Sequence, residues 1–254
     1  MSEAIERLPR PKLQKPFFLS EVSSTVNDLA IIETILRNRR EFFTEIREGI
    51  RLPEKMRAML VSSIVFLMLY GAVMGSTHSL WQALSSAVKL PVLFLATLIV
   101  CSPTLYFFNV LFRSNQSLTQ NFCLILTAIT VTAVLLLSFA PIVLFFLLTT
   151  SHYQFFKLLN VVVFAITGSI GVAFLSAGMR IVSAGGKEGA AARRNVVRFW
   201  IVIYAFVGSQ MAWTLRPFIG APSMGFELFR QLGGNFYANI FASIGEILGF
   251  VTVM

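Results

Sequence analysis

Charged residues are scarce in this sequence, and one long stretch contains none. Only 13% of the 254 residues are Asp, Glu, Lys or Arg, while 56% are hydrophobic. Ordinary soluble chains carry about 25% charged residues. From Ser114 to Phe156 there is no charged residue at all. A helix over this stretch would exceed the roughly 30 Å hydrocarbon core of a bilayer, because each helical residue adds about 1.5 Å. This scarcity excludes a soluble globular fold and predicts a transmembrane helix, kinked at Pro141.

Cysteine and histidine are nearly absent, which removes most catalytic and metal-binding chemistry. The two cysteines, Cys101 and Cys123, lie in apolar runs without a His or carboxylate at ligand spacing. The two histidines, His78 and His152, each flank a predicted loop and have no acidic residue or cysteine nearby in sequence. The HExxH, GxSxG, CxxC and phosphate-loop motifs are also missing. We therefore expect no enzyme, no catalytic or metal-binding residues and no cofactor.

The net charge is +9, and the basic residues are distributed as membrane orientation signals are. Residues 1–57 hold 11 basic and 9 acidic residues, whereas residues 58–254 hold 10 basic and 3 acidic residues. If the amino terminus is in the cytoplasm, 17 basic residues lie inside and four lie outside: Lys89, Lys157, Arg216 and Arg230. Such a bias predicts a cytoplasmic amino terminus. Because the later basic residues fall between apolar runs rather than on one soluble face, no nucleic-acid binding is expected.

The apolar runs predict an all-α polytopic membrane protein with five firm transmembrane helices. These are expected at about residues 58–76, 90–112, 122–148, 155–177 and 199–215, with a short connection at 77–88. The chain then divides into a cytoplasmic arm with an amphipathic helix (1–57), the five-helix transmembrane domain (58–215), and an outer loop with a C-terminal apolar helix (216–254).

The apolar segment from Phe236 to Met254 has two alternative interpretations. It is either a sixth span or a helix that lies at the outer interface or folds back into the bundle. Its one charged residue is Glu246. A carboxylate inside a membrane needs a partner or a proton, and Arg216 is one of the outer cations that could pair with it.

The first 57 residues contain one strong helical pattern. Apolar residues recur at helical spacing, with charged residues on the opposite face, at Leu29, Ile32, Leu36, Phe43 and Ile46. Gly49 is a suitable C-cap, and Pro53 cannot continue the helix. The pattern predicts an amphipathic helix of about 25 residues. Two interpretations are open. In the first, the helix packs on its own membrane domain or lies at the lipid interface. In the second, it docks a partner protein or a second copy of the chain.

Small residues recur every four positions in three of the spans, which lets helix backbones approach each other. They are Gly71 and Gly75 in the first span, Ala165, Ser169, Ala173 and Ala177 in the fourth, and Gly208 and Ala212 in the fifth. We expect these residues to pack the bundle internally or to form a seam between two copies. Few polar residues lie inside the apolar segments, and the candidates for an intramembrane polar site are Asn109, Asn160 and Glu246.

Two function classes are compatible with these patterns. The first is an integral membrane scaffold, assembly or accessory factor that acts through helix packing and its amphipathic N-terminal helix. Its partners would be the lipid bilayer and another membrane protein or a second copy of the chain. The alternative is a small-solute transporter or channel, which would need Asn109, Asn160 and Glu246 to line one water-accessible path.

Several segments between about residues 40 and 180 carry a family resemblance. They are Lys89-Leu90-Pro91, Ser102 to Asn109, Ser138 to Pro141, and Tyr153 to Asn160. These segments resemble an uncharacterised family of cyanobacterial multi-span membrane proteins. The resemblance implies a location in the bacterial plasma membrane, or in the thylakoid if the source is cyanobacterial. In topology alone, a polar amino terminus followed by five spans is also similar to the Yip family of membrane-trafficking proteins.

Members of that cyanobacterial family are often labelled as containing a WASP-homology actin-binding motif. The residues that follow the order of that motif are Phe42-Phe43, Ile46-Arg47, Gly49, Leu52 and Lys55-Met56. Pro53-Glu54 stands where the motif has basic residues, and bacteria lack conventional actin. We therefore interpret the likeness as a chance match in a short amphipathic helix and expect no actin binding.

Overall fold

The computed structural model of the protein describes residues 31–76, 79–111, 116–150, 152–182, 190–220, 225–229 and 234–248. Within these residues the chain is helical and contains no β-strand. A helical segment at 31–37, named α1, is followed by α2 (Arg39–Glu48), α3 (Leu52–Gly75), α4 (Leu80–Leu111), α5 (Leu118–Thr149), α6 (Tyr153–Val182), α7 (Ala190–Thr214) and α8 (Phe236–Ile247). The all-helical class predicted from the sequence is confirmed for this part of the chain.

Four helices are long and apolar enough to cross a membrane. They are α3, α5, α6 and the Leu80–Phe107 part of α4. The shortest of them, α3, has 24 residues and so reaches about 36 Å, which exceeds the hydrocarbon core. Helix α7, which contains most of the expected fifth span, has 25 residues but is not one of these four within the described residues. The four helices indicate a membrane protein.

The junction between α2 and α3 depends on one glycine and one proline. Gly49 adopts a left-handed conformation with φ of 77°, and its N–H donates to the carbonyl of Ile46. This cap ends α2 where the sequence predicts a helix end. Helix α3 begins at Leu52, earlier than the expected start near residue 58. The reason is that Pro53 stands in the first turn, where the missing N–H is not needed.

Helix α4 begins ten residues earlier than the sequence suggests, so most of the expected connection at 77–88 is helical. No Gly or Pro stands between Ser79 and Lys89 to stop a helix. The Ser79 hydroxyl accepts a hydrogen bond from the Gln82 N–H at 3.2 Å, as a helix N-cap does. As a result Lys89 lies inside a helix, and Pro91 and Pro103 are accommodated within it.

The long helices pack side by side, and a short helix lies at each end of the bundle. Helix α3 contacts both α4 and α5, α6 packs against α5, and α7 packs against α4. Helix α2 packs on α5 and α6 at the end where α3 and α5 begin, which we call the α2 end. Helix α8 packs on α6 and α7 at the opposite end, the α8 end. The buried core between the long helices includes Met59, Leu67, Leu105, Leu124 and Leu136.

Candidate functional site

The apolar face of α2 is buried against α5 and α6. Phe42, Phe43 and Ile46 are each no more than 1% exposed. Gly178 of α6 makes room for the Phe43 ring, because a Cβ atom at this glycine would lie only 2.6 Å from the ring atom Cε1. Leu124 of α5 closes the same site, 2.8 Å from that Cβ position. The apolar residues of α2 are therefore occupied by contacts within the chain.

Two polar side chains, Gln120 and Lys55, hold the carboxyl end of α2 in place. The Gln120 amide nitrogen Nε2 donates to the carbonyls of Ile46 at 3.1 Å and Arg47 at 3.0 Å, which belong to the last turn of α2. Lys55 of α3 pairs with Glu45 of α2. The same ammonium lies 5.3 Å from the centroid of the Phe42 ring, close enough for a cation–π interaction.

Gln120 also starts α5. Its Oε1 accepts from the Ser117 N–H at 2.9 Å, and the Ser117 hydroxyl accepts from the Gln120 N–H at 3.2 Å, forming a capping box. The spacing of Ser117 and Gln120 is a sequence signal for a helix start. Nothing in that local spacing indicates the bonds to Ile46 and Arg47, which lie more than 70 residues earlier. The sequence therefore does not identify Gln120 as a residue that docks α2.

The opposite face of α2 points away from the bundle. We call it the display face, and it consists of Arg40, Glu41, Thr44, Arg47 and Glu48, all exposed. The Thr44 hydroxyl donates to the Arg40 carbonyl at 2.9 Å. None of the four charged side chains forms an ion pair with another residue that the structure describes. The bundle thus carries a rigidly held helix with a charged surface.

The residues of the expected 25-residue helix do not all lie on one straight helix. Asn38, between α1 and α2, has φ of −116° and ψ of 44°, which is not helical. Ile32 is buried, whereas Leu36 is 47% exposed. Leu29 lies outside the described residues. The interruption at Asn38 separates α1 from α2, and the exposed Leu36 shows that not every apolar residue at helical spacing is covered by the bundle.

Close helix contacts occur at the small residues of α3. A Cβ atom on Gly71 would lie 2.5 Å from the Ser86 carbonyl oxygen, and one on Gly75 would lie 2.5 Å from the Gln82 carbonyl oxygen. Real Cβ atoms do not approach so closely, so only glycine allows α3 and α4 to touch here. Gly171 plays the same part between α6 and α5, where the Ala128 carbonyl lies 2.8 Å from its Cβ position.

The four-residue repeat of α6 has a different orientation. Ala165, Ser169 and Ala173 are exposed, and Ala177 is half-buried. The face of α6 that meets α5 carries Gly171 instead. In α7, a Cβ atom at Gly208 would make only an ordinary contact with Thr97, at 3.8 Å. Ala212, one turn further on, is half-buried.

Some of the buried polar groups between the long helices bind each other. The Tyr70 hydroxyl of α3 donates to Asn160 Oδ1 of α6 at 2.9 Å, and Asn160 Nδ2 donates to the Phe156 carbonyl at 2.8 Å. The hydroxyls of Ser63 and Thr130 lie 2.9 Å apart between α3 and α5. The side chain of Asn109 is not among those that the structure describes.

Glu246 has a partner on α6. It accepts a hydrogen bond from Gln154 Nε2 at 2.7 Å, and Lys157 lies close enough to interact with it electrostatically. Lys157 Nζ also donates to Asn239 Oδ1 of α8 at 3.0 Å. Arg216, which the sequence suggests as the partner, stacks instead on the Trp213 ring at 3.5 Å. Glu246 thus helps to attach α8 to the beginning of α6.

The first three turns of α4 hold the loop that follows α7. Lys89 Nζ donates to the carbonyls of Pro217, at 3.2 Å, and Leu228. Gln82 Nε2 donates to the same Pro217 carbonyl at 2.9 Å, and the Ser86 hydroxyl donates to the Phe218 carbonyl at 2.6 Å. These polar residues bind backbone groups of the chain and serve to anchor the loop.

The described residues include no group of three His, Cys, Asp or Glu side chains placed to hold a metal ion. The arrangement defines a helical membrane protein whose polar contacts mainly join helices and loops. No protein-family model, curated protein or solved structure matches the chain. The function is therefore argued from the geometry of the molecule itself.

Proposed function

We propose that this protein is an integral membrane scaffold, assembly or accessory factor that binds another protein at the cytoplasmic membrane surface. The observation that carries the proposal is the position of α2. Its apolar face is fixed to the bundle by Phe42, Phe43 and Ile46, and its last turn is held by Gln120. Its display face is left exposed on a rigid support, as a docking surface for a partner requires.

The distribution of basic residues supports a cytoplasmic α2 end. Of the described residues, basic side chains near this end include Arg40, Arg47, Arg51, Arg57, Arg180 and Arg198. Those near the α8 end are Lys89, Lys157 and Arg216. Basic residues flanking membrane spans favour the cytoplasmic side. If the resemblance to cyanobacterial proteins holds, the membrane is the plasma membrane or the thylakoid.

We further propose that α7 is the fifth span. Its 25 residues reach about 37 Å. Trp200, which is 1% exposed, donates from its indole N–H to the Cys101 carbonyl of α4 at 2.9 Å. Phe199, Val202 and Phe206 are exposed apolar residues, as expected of a helix that faces lipid. Helix α8 has only 12 residues, about 18 Å, so we place it at the outer interface rather than as a sixth span.

A small-solute transporter or channel is the alternative class. It would need polar groups that are open to a water path. Asn160 is 3% exposed and bonded to Tyr70 and to its own helix, whereas Glu246 is bonded to Gln154. Because these hydrogen bonds already occupy Asn160 and Glu246, they favour the scaffold over the transporter.

The proposal is tested by affinity purification from native membranes with a variant of the display face. Arg40→Glu together with Arg47→Glu should remove the protein that co-purifies with the wild-type chain in stoichiometric amount. Arg51→Glu together with Arg57→Glu changes the total charge equally on exposed residues outside that face, and this control should retain the partner. A second, differently tagged copy of the chain is tested as a partner in the same way.

Two results would contradict the scaffold. One is that no protein, and no second copy, co-purifies in stoichiometric amount with the wild-type chain. The other is that both pairs of substitutions remove the same partner, which would assign binding to net charge rather than to the display face. Solute flux through proteoliposomes containing the purified chain would favour the transporter.

A further inference from the structure

A groove runs along α6 at the α2 end of the bundle, with a volume of about 400 Å³. Apart from two arginines, its lining consists of α6 residues that we call the floor: the small residues Ser169, Ala173 and Ala177 together with Ile170 and Phe174. Two arginines stand at its mouth, Arg39 from the first turn of α2 and Arg180 from the last turn of α6. The groove therefore combines an apolar channel with two positive charges at one end.

The two arginines lack a counter-charge among the residues that the structure describes. The ion pairs found there join Arg37 with Glu33 and Lys55 with Glu45, and neither involves Arg39 or Arg180. Arg39 and Arg180 are far apart in sequence and meet at this groove because α2 packs on α6. Guanidinium groups match the geometry of phosphate oxygens and bind them by charge-assisted hydrogen bonds. The mouth of the groove thus suits a phosphate.

The floor suits an acyl chain rather than a polar ligand. Small side chains leave a channel along the helix, and Ile170 supplies an apolar wall. The one hydroxyl on the floor, that of Ser169, already donates to the Ala165 carbonyl at 2.7 Å. A sugar or peptide would find little hydrogen bonding there, whereas a hydrocarbon chain requires none. The position of the groove beside a membrane-spanning helix exposes it to lipid.

We infer that this groove binds one anionic phospholipid of the cytoplasmic leaflet. The phosphate lies between Arg39 and Arg180, and one acyl chain lies along Ser169, Ala173 and Ala177. The charge of the mouth complements the headgroup, and the apolar floor complements the chain. The inference rests on the membrane location and orientation proposed above, but it does not depend on the display face or on a protein partner.

The test uses the full-length chain, purified and delipidated in detergent, and measures bound lipid by native mass spectrometry. Dioleoylphosphatidylglycerol, which is anionic, should bind more tightly than zwitterionic dioleoylphosphatidylcholine. Arg39→Gln together with Arg180→Gln should weaken phosphatidylglycerol binding by about tenfold or more, because two charge-assisted contacts are lost. Arg51→Gln together with Arg57→Gln, which removes two exposed arginines outside the groove, should leave that affinity unchanged.

A second variant tests the floor of the groove. Ala173→Phe fills the channel but keeps both arginines, and it should reduce the affinity for phosphatidylglycerol. Because residue 173 is exposed, the substitution should not lower the thermal unfolding midpoint of the protein. Equal affinity for the two lipids would overturn the inference. So would equal losses in the groove and control arginine pairs, which would indicate attraction to general surface charge. Because the purified chain contains no protein partner, this measurement tests the lipid site independently of the scaffold proposal.

Discussion

At the scale of single residues, two glycines decide how closely α3 approaches α4. Gly71 and Gly75 stand opposite the backbone carbonyls of Ser86 and Gln82, at distances that admit no side chain. Backbone atoms cannot rotate away as the end of a long side chain can. An added methyl group must therefore push the two helices apart.

We predict that Gly71→Ala lowers the free energy of unfolding by about 1–3 kcal/mol, the usual result of overpacking a tight contact. Gly168→Ala is the matched control, because its new methyl group would meet nothing within 4 Å. The control should be neutral or slightly stabilising, since alanine favours a helix over glycine by about 1 kcal/mol. Unfolding in mixed detergent micelles measures both variants, and equal losses of stability would contradict the close contact.

Sequence spacing locates such residues but does not orient them. Ala165 and Ser169 repeat at the same four-residue interval as Gly71 and Gly75, yet they are exposed while the glycines are buried. A repeat defines one face of a helix, and the neighbours of that face depend on how the other helices pack. The direction of the face could be learned only from the folded chain.

At the scale of elements, α2 is the helix whose placement depends most on distant residues. Its burial is supplied by α5 and α6, and its last carbonyls are bonded to Gln120 of α5. The helical spacing of apolar residues in α2 can be recognised from its own sequence. The surface that receives α2 is assembled from helices that come much later in the chain.

We predict that Gln120→Ala loosens α2. Loss of two hydrogen bonds, each worth about 0.5–1.5 kcal/mol, should lower the local opening free energy of α2 by about 1–2 kcal/mol. Hydrogen exchange of the amides of α2 should accelerate by roughly tenfold. Ser117→Ala removes the same capping box at the start of α5 but keeps the bonds to α2, so it should leave exchange in α2 unchanged. Equal exchange rates in the two variants would contradict the docking role of Gln120.

Long apolar helices could be predicted from the sequence because hydrophobic length is a local property. The four membrane-compatible helices correspond to the first four expected spans, although α4 begins earlier. The role of Lys89 could not be predicted. Its carbonyl partners lie at Pro217 and Leu228, well over 100 residues later. For the same reason the partner of Glu246 proved to be Gln154 rather than Arg216.

At the scale of the whole molecule, the two ends differ in chemistry. The α2 end carries more of the basic residues that the structure describes, and the α8 end carries the loop and the short helix anchored by Lys89 and Lys157. A charge difference of this kind orients a chain during insertion. The same difference provides a direct test of topology.

We predict that a cysteine at Ser79 reacts with a membrane-impermeant maleimide on intact cells, whereas one at Ser117 reacts only after permeabilisation. Ser79 precedes α4 at the α8 end, and Ser117 precedes α5 at the α2 end. The parent chain is the control, because Cys101 and Cys123 are 1% and 0% exposed and should not react. Labelling of Ser117 from outside and of Ser79 only from inside would reverse the orientation.

The bond between Gln120 and α2 also constrains the order in which the protein can be made. Gln120 follows Ile46 by 74 residues, which a ribosome adding about 5–20 residues per second needs roughly 4–15 s to synthesise. Gly178 of α6, which makes room for Phe43, is synthesised later still, so Phe42, Phe43 and Ile46 are made before the surface of α5 and α6 that buries them exists. The nearest apolar surface is the bilayer, where an amphipathic helix can rest. We expect the nascent helix to stay on lipid until α6 has been inserted, and then to pack against α5 and α6.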